Sequence, residues 1–214
     1  MIKLITGAQL KQIAPTLTNE RAAYMADLLN EICPKYGIDT LDEFHEFLAN
    51  VVQESGEFSH KVENMNYTTP ARIMAIWPSR FKSVSSALPY VRNAKALANL
   101  VYGKRMGNTQ QNDGWDFRGG GFIGLTGREV YTKYAAYIKK PVLEAAELVR
   151  TTDYYALDSA AWFFSVLKGL NDEAERDEWL KIVKSINGGY IGLDVRSKYY
   201  KKIGEVLGIP TKNI

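Results

Sequence analysis

The 214-residue sequence has little cysteine, little histidine and no long apolar run. A single cysteine, Cys33, excludes an internal disulfide framework and a cysteine-rich zinc site. Its place on the apolar face at a helix end predicts a small buried side chain and no nucleophile. The two histidines, His45 and His60, lack the spacing of metal ligands. We therefore expect neither a metal nor a cofactor.

Strong charge of either sign is also missing. The sequence has 27 Lys and Arg against 24 Asp and Glu, a formal net charge of +3. Proteins that bind nucleic acid usually carry a denser basic patch, so we expect no nucleic-acid partner, although a mild positive charge suits an anionic polymer. No apolar run reaches membrane-spanning length, which predicts no stable membrane association. The start, "MIKLITGAQLKQIAP", has no signal-peptide core or cleavage site, and we expect a cytoplasmic protein.

Apolar residues make up 46% of the chain and charged residues 24%, as in ordinary globular proteins. The length and the lack of a linker predict one domain over residues 1–214. Helical periodicity with caps predicts a mostly α fold with at most a short β-hairpin. Predicted helices begin at Thr18 or Asn19, at Thr40 with Glu43 in capping-box register, at Thr69 before Pro70, and cover 90–102, 127–138, 153–168, 173–186 and 193–207.

A glycine-rich stretch, residues 103–126, interrupts these helices, and Gly119, Gly121 and Gly124 satisfy the G-x-G-x-x-G pattern. A dinucleotide site requires a buried strand directly before the glycines, and "NDGWDF" is no such strand. The glycines indicate instead a backbone that turns tightly and closely approaches another group.

Acidic residues cluster at and beyond the end of the predicted helix after Thr40. On a helical wheel, Glu54 falls at the edge of the apolar arc, where partial desolvation favours the protonated form that a general acid requires. Glu63 follows in a polar segment that suits an ionised general base. The residues alone leave open that both Glu54 and Glu63 are solvated glutamates. Glu57 and Glu43 are the other acids of this region, and we expect both to be ordinary exposed side chains.

Five segments occur in this order: "VVQESGEFS", "VENMNYTTPARIMAIWPSRF", "FRGGGFIGLTGREVYTKYA", "SAAWFFSV" and "INGGYIGLDVRSKYY". Together they resemble the family 19 glycoside hydrolases, chitinase-like enzymes with a lysozyme-like fold, and especially their phage endolysin members. The resemblance covers residues 45–205. From the order of the predicted helices, we expect the segment 41–83 and the last third of the chain to form two helical lobes around a substrate cleft.

The resemblance also implies roles for particular residues. Glu54 matches the general acid, Glu63 the general base and Thr126 a hydroxyl residue that helps to hold the attacking water. The residues matching substrate-side positions or the acid's charge network are Asn66, Tyr67, Asn187 and Arg196. Three of these positions have alternatives: Thr126 with Glu129 also forms a capping-box pattern, Asn187 before Gly188 suits a helix C-cap, and Tyr67 suits the core.

Two positions depart from the family pattern. Gly120 and Gly124 stand where the family usually has an arginine and a glutamine, which leaves the sugar contacts of this stretch open. We expect an inverting hydrolase that cleaves β-1,4 bonds in peptidoglycan as a monomeric endolysin and reaches the wall after membrane permeabilisation. Chitin is the alternative substrate, and a wall-binding protein without turnover is a further alternative that the presence of both acids disfavours.

Overall fold

The computed structural model describes residues 3–211 and is built mostly from helices, which confirms the predicted mainly α class. The described part of the chain leaves out residues 1 and 2, which belong to the start predicted to lack a signal peptide. It also leaves out residues 212–214 of the predicted domain. No helix within 3–211 has the length and apolar character needed to cross a bilayer.

Thirteen α-helices are found in the described residues. They are α1 (Gly7–Ile13), α2 (Asn19–Ile32), α3 (Leu41–Ser55), α4 (Pro70–Ile76), α5 (Val84–Ala87), α6 (Ala94–Tyr102), α7 (Asp113–Asp116), α8 (Arg128–Tyr137), α9 (Val142–Thr151), α10 (Asp153–Trp162), α11 (Asn171–Glu175), α12 (Trp179–Asn187) and α13 (Leu193–Leu207). Short 3₁₀ turns cover Cys33–Tyr36 and Leu88–Tyr90, and a π-helical turn, Phe163–Leu167, continues α10.

The predicted caps are confirmed where a side chain closes the first turn. The Thr18 and Thr69 hydroxyls accept hydrogen bonds from the backbone N–H groups of Arg21 and Arg72. Thr40 and Glu43 form a complete capping box at the start of α3. These bonds satisfy backbone N–H groups that have no partner within the helix. Because the capping residue types are recognisable, the starts of these helices can be predicted from the sequence.

Two predicted helices have different bounds. The helix predicted from residue 90 begins at Ala94, because a 3₁₀ turn containing Pro89 precedes it and Asn93 provides the cap. The helix predicted over 173–186 is two helices, α11 and α12. Asp177 has a φ of 54° between them, and a left-handed residue cannot continue a right-handed helix.

The described residues fall into two compact units. The first unit comprises residues 3–61, 121–123 and 151–211, and the second comprises 62–120 and 124–150. The boundary after residue 61 divides the segment 41–83 that was assigned to one lobe, and its first part packs with the last third of the chain. The single catalytic domain and the substrate cleft stay predictions.

In the first unit, α3 forms the central element and packs against α11, α12 and α13. Its residues from Glu43 to Val52 are all buried, so the helix is covered around its whole circumference and not along one stripe. Leu41, predicted to belong to that stripe, is 45% exposed because it lies at the uncovered start. A helix this enclosed gives its last turn a fixed position.

In the second unit, a hydrophobic core forms from α4, α5 and α6 and the segments around them. Its buried members are Met65, Ile73, Phe81, Ala87, Leu97, Ala98 and Val101. Beside this core, isolated antiparallel bridges join Val62 to Gly120 and Gly120 to Leu125. They match the prediction of at most a short hairpin, and they position the residue that follows Val62.

Candidate active site

Glu54 lies in the last turn of α3, and the backbone beyond it is tightly fixed. Gly56 ends the helix in the left-handed conformation, with a φ of 56°. The Ser55 hydroxyl donates to the carbonyl of Val51 at 2.7 Å and accepts the N–H of Phe58 at 2.8 Å. The carboxylate of Glu54 therefore extends from a rigid helix end.

Arg196, from α13, pairs with Glu54. Its Nη2 donates to Glu54 Oε1 and, at 2.9 Å, to Asn187 Oδ1, while its Nη1 donates to Asn50 Oδ1 at 3.1 Å. Arg196 is only 4% exposed, whereas 27% of the Glu54 side chain is accessible. Nη1 and Nη2 of this buried guanidinium donate to acceptors of the same unit, whereas its buried Nε has no hydrogen-bond partner within the described part of the chain. Arg196 therefore holds Glu54 and does not itself offer a surface to a sugar.

Asn187 lies at the end of a helix, directly before the glycine that caps it. It is the last residue of α12, and Gly188 follows it in the left-handed conformation with a φ of 70°. Its side-chain Nδ2 donates to the carbonyl of Val183 at 3.0 Å, while its Oδ1 accepts from Arg196. The helix end thus places Asn187 beside the Glu54–Arg196 pair, and its predicted contact with substrate stays a prediction.

Glu57 and Glu43 are not exposed acids, contrary to the prediction. Each is 8% exposed, because each carboxylate is used inside the fold. Glu43 caps α3, and Glu57 accepts hydrogen bonds from Thr16 and, at 2.9 Å, from the Tyr199 hydroxyl. Burial acts to raise the pKa of Glu57, but these hydrogen bonds and nearby Lys11 together hold it below its usual value. Both carboxylate oxygens of Glu57 are therefore used in hydrogen bonds within the fold.

Glu63 follows the bridge at Val62 in the second unit and is half-buried. Its N–H donates to the carbonyl of Gly119 at 2.9 Å. Its carboxylate accepts the Tyr102 hydroxyl at Oε1, at 2.6 Å, and the N–H of Gly119 at Oε2, at 3.3 Å. A carboxylate that accepts hydrogen bonds in a polar loop is suited to take a proton from water.

Gly119 brings its loop close to Glu63, as the glycine pattern predicts. A Cβ at this position would lie 3.1 Å from Glu63 Cβ, 3.2 Å from Glu63 Oε2 and 3.5 Å from Thr126 Oγ1. Glu63 and Thr126 therefore border the same glycine. A side chain at position 119 would crowd both of them.

Thr126 does not cap a helix, so the capping-box alternative is wrong. Helix α8 has Gly127 at its N-cap, with a φ of 96° and no side-chain cap bond. The Thr126 hydroxyl donates to the carbonyl of Gly124 at 2.9 Å, and Glu129 pairs with Lys133 one turn along the helix. The hydroxyl oxygen keeps acceptor capacity for a water molecule.

Asn66 and Tyr67 follow Glu63 in the second unit. Asn66 is exposed, and its N–H donates to Asn64 Oδ1 at 2.9 Å. Tyr67 is half-buried, packs edge-on against Trp77 with 5.4 Å between ring centroids, and has its pKa raised by burial and by the charge of Glu63. Tyr67 therefore belongs to the core through its ring while its hydroxyl end is influenced by Glu63.

No group of three or more His, Cys, Asp or Glu side chains among residues 3–211 is arranged to hold a metal. His45 is buried, stacks on Tyr200 and contacts its carbonyl through Nε2 at 2.6 Å. Cys33 is buried as predicted, and burial raises the pKa of its thiol.

Comparison with known proteins identifies the family, although no family model matches the chain. A Haemophilus influenzae protein described as a glycosyl hydrolase family 19 domain-containing protein is 30% identical over 159 residues, which cover 73% of this chain and 76% of that relative. The chain belongs to glycosyl hydrolase family 19. It is accordingly a glycosidase by homology, and the predicted resemblance is confirmed.

Solved structures share the family 19 fold. Chitinase C from Streptomyces griseus HUT6037 aligns over 99% of this chain and 79% of its own, with a TM-score of 0.65 and 17% identity. A bacterial family 19 chitinase aligns over 98% of both chains, with a TM-score of 0.64 and 19% identity. At these identities the likeness establishes the fold, and it confirms the predicted family 19 architecture.

Gly120 and Gly124, the departures from the family 19 pattern, have different surroundings. A Cβ at Gly120 would lie 2.4 Å from the Tyr131 hydroxyl and 2.7 Å from Arg150 Cγ, so Arg150 fills the space that a side chain at 120 would need. Gly124 has a φ of 71° and no atom within 4 Å of a built Cβ. Position 124 is therefore open, with no side chain where the family pattern usually has a glutamine.

Two residues around the carboxylates were missed by sequence reasoning. Asn50 is wholly buried one turn before Glu54 and accepts from Arg196, and its signal was a polar residue inside an apolar helix face. Tyr102 donates to Glu63 from 39 positions away. Nothing local in the sequence connects Tyr102 with Glu63.

Proposed function

We propose that this family 19 hydrolase cleaves the β-1,4 glycosidic bonds of bacterial peptidoglycan by inversion, with Glu54 as general acid and Glu63 as general base. The observation that carries the proposal is the pairing of each glutamate with its own support in a family 19 chain. Glu54 is held by Arg196, and Glu63 is held by Tyr102 beside Thr126.

In the proposed reaction, the Glu54 carboxyl group gives its proton to the bridging oxygen as the glycosidic bond breaks. Arg196 then lies against the carboxylate that remains and compensates its charge. A water molecule attacks the anomeric carbon from the opposite face, and its proton passes to Glu63, with Thr126 helping to orient the water. An inverting mechanism requires the two carboxyl groups to lie about 6.5–9.5 Å apart when substrate is bound.

Peptidoglycan is favoured by the resemblance of five ordered segments to phage endolysins and by the mild positive charge, which suits an anionic wall polymer. In this proposal the enzyme is made in the cytoplasm of an infected cell and reaches the wall once the membrane is permeabilised. The missing side chains at Gly120 and Gly124 are consistent with sugar contacts that differ from those of a chitinase.

The test is the loss of turbidity of Gram-negative cells whose outer membrane has been permeabilised. We expect lysis by the wild type and a loss of about 10²–10⁴-fold in Glu54→Gln and in Glu63→Gln, because each change removes a proton-transfer group. Matched controls are Glu31→Gln in the first unit and Glu144→Gln in the second, whose exposed carboxylates pair with Lys35 and Lys140. Normal lysis by Glu54→Gln would contradict the assignment of the acid.

Chitin is the second candidate substrate, because the two structural neighbours described above are chitinases. The same five proteins are therefore assayed on chitin for release of reducing ends. Faster cleavage of chitin than of peptidoglycan would make the chain a chitinase with the same two acids. A folded wild type that binds walls and cleaves neither polymer would support the non-catalytic alternative.

A further inference from the structure

We propose that Tyr102 is a positioning residue that fixes the Glu63 carboxylate so that Oε2, and not Oε1, faces the attacking water beside Thr126. This inference rests on the proposed function, in which Glu63 is the general base. It adds a residue and a choice of oxygen atom to that function.

The two oxygens of Glu63 have unequal partners. Oε1 accepts the Tyr102 hydroxyl at 2.6 Å, a length typical of a strong hydrogen bond from a hydroxyl to a carboxylate. Oε2 accepts the Gly119 N–H at 3.3 Å, a long and weak bond. A carboxylate oxygen has two acceptor sites, so Oε2 keeps the greater capacity to bind a water molecule.

Oε2 is also the oxygen on the side of Thr126. The Cβ position built on Gly119 lies 3.2 Å from Glu63 Oε2 and 3.5 Å from Thr126 Oγ1. Thr126 donates its proton to the carbonyl of Gly124, which leaves its oxygen to accept a hydrogen bond from water. A water molecule between Glu63 Oε2 and Thr126 Oγ1 would thus donate one hydrogen bond to each oxygen. The lone pairs of that water would then point away from both residues.

Tyr102 is itself held firmly enough to act as a support. It is the last residue of α6, and Gly103 ends that helix with its N–H on the carbonyl of Asn99. Its own carbonyl accepts Nδ2 of Asn108 at 2.9 Å, and its ring packs on the core of the second unit. Both the backbone and the ring of Tyr102 are therefore anchored.

The Tyr102 hydroxyl is held in its protonated form. Burial, followed by the hydrogen bond and the charge of Glu63, raises the pKa of Tyr102 well above its usual value. A phenol that does not ionise keeps its proton directed at Glu63 Oε1.

The experiment compares Tyr102→Phe with Tyr90→Phe, a matched control in the same unit. The Tyr90 ring packs on the same core and pairs with Phe81, so the control loses a hydroxyl away from Glu63. Rates are measured on purified peptidoglycan through the release of reducing ends. We expect kcat to fall about 10- to 100-fold in Tyr102→Phe with KM within about twofold, because a misplaced base slows the chemical step and not binding.

A double variant tests whether Tyr102 acts through Glu63. Tyr102→Phe combined with Glu63→Gln should be no slower than Glu63→Gln alone, because the partner of the hydroxyl is already altered. An additive loss would overturn the proposal. So would a wild-type kcat in Tyr102→Phe.

Crystal structures of the two tyrosine variants keep the inference separate from the proposed function. In Tyr102→Phe the Glu63 carboxylate should leave the orientation that it keeps in Tyr90→Phe, and an unmoved carboxylate overturns the proposal whatever the rate. A wild type without activity on peptidoglycan or chitin would refute the proposed function, and the carboxylate orientation would still decide the role of Tyr102.

Discussion

Arg196 is the residue on which the surroundings of Glu54 depend. Its guanidinium bonds the Glu54 carboxylate and the side-chain oxygens of Asn50 and Asn187 from one buried position. A planar group with several fixed donors can satisfy three acceptors at once, which an ammonium group on a flexible stem cannot do in the same geometry. The arginine is thus both a structural centre and the support of the proposed acid.

Arg196→Lys should therefore reduce both activity and stability. We expect kcat to fall about 10- to 100-fold because Glu54 loses its fixed orientation. The free energy of unfolding should fall by about 1–3 kcal/mol, because buried acceptors lose their donors. Urea denaturation and the lysis assay measure the two effects. Lys202→Arg, an exposed charge-preserving change on the same helix, serves as the control, and equal behaviour of the two variants would contradict this role.

How far the site is predictable from sequence differs between its residues. Arg196 meets Glu54 in the structure, as its motif implies, and Asn187 contacts the same arginine. All three residues lie at the end or on the face of a helix that the sequence predicts. The substrate contact implied for Asn187 stays a prediction. Tyr102 was not predictable. Its contact with Glu63 depends on the path of the chain between α6 and the bridge at Gly120, which no local pattern encodes.

At the scale of elements, side-chain caps made helix starts predictable and distant packing made other bounds unpredictable. Thr18, Thr40 and Thr69 begin their helices through bonds to residues three positions on. The interruption at Asp177 has no comparable local signal, because its backbone takes a left-handed conformation without being glycine. The enclosure of α3 on all sides was likewise a consequence of its neighbours.

Asp153 connects two elements of the first unit. At the start of α10, its carboxylate accepts both Nη groups of Arg21, from α2, at 2.5 and 2.8 Å, and Lys61 Nζ at 2.6 Å. The hydrogen bond from Arg21 is the largest influence on its pKa; burial opposes it and Lys61 reinforces it, and the pKa falls to about 2. Asp153 therefore stabilises the fold through its ionised form.

Asp153→Asn should lower the free energy of unfolding at pH 7 by about 1–2 kcal/mol, a value reduced for the solvent that reaches the pair. The unfolded carboxyl has a pKa of about 3.9, so this contribution is present above that pH and is lost as pH falls toward 2. Urea denaturation at several pH values should show the wild type and the variant converging over that window. A constant difference, or one matched by exposed Asp172→Asn, would contradict the assignment.

At the scale of the whole molecule, family membership was predictable because several short segments occur in a fixed order. Three of the five segments also contain left-handed glycines, among them Gly56, Gly121 and Gly188, where a residue with a side chain would be strained. Substrate choice was not predictable, because it depends on sugar contacts at positions such as Gly124 where the usual side chain is absent.

In the proposed reaction, Glu54 and Glu63 hydrolyse a β-1,4 bond of peptidoglycan with inversion. Proton NMR of the first products, recorded before mutarotation on purified peptidoglycan, tests it most directly. Attack by water from the opposite face predicts that the new reducing ends appear first as the α anomer, and only with an intact Glu54 and Glu63. Reducing ends that appear first as the β anomer would contradict the account.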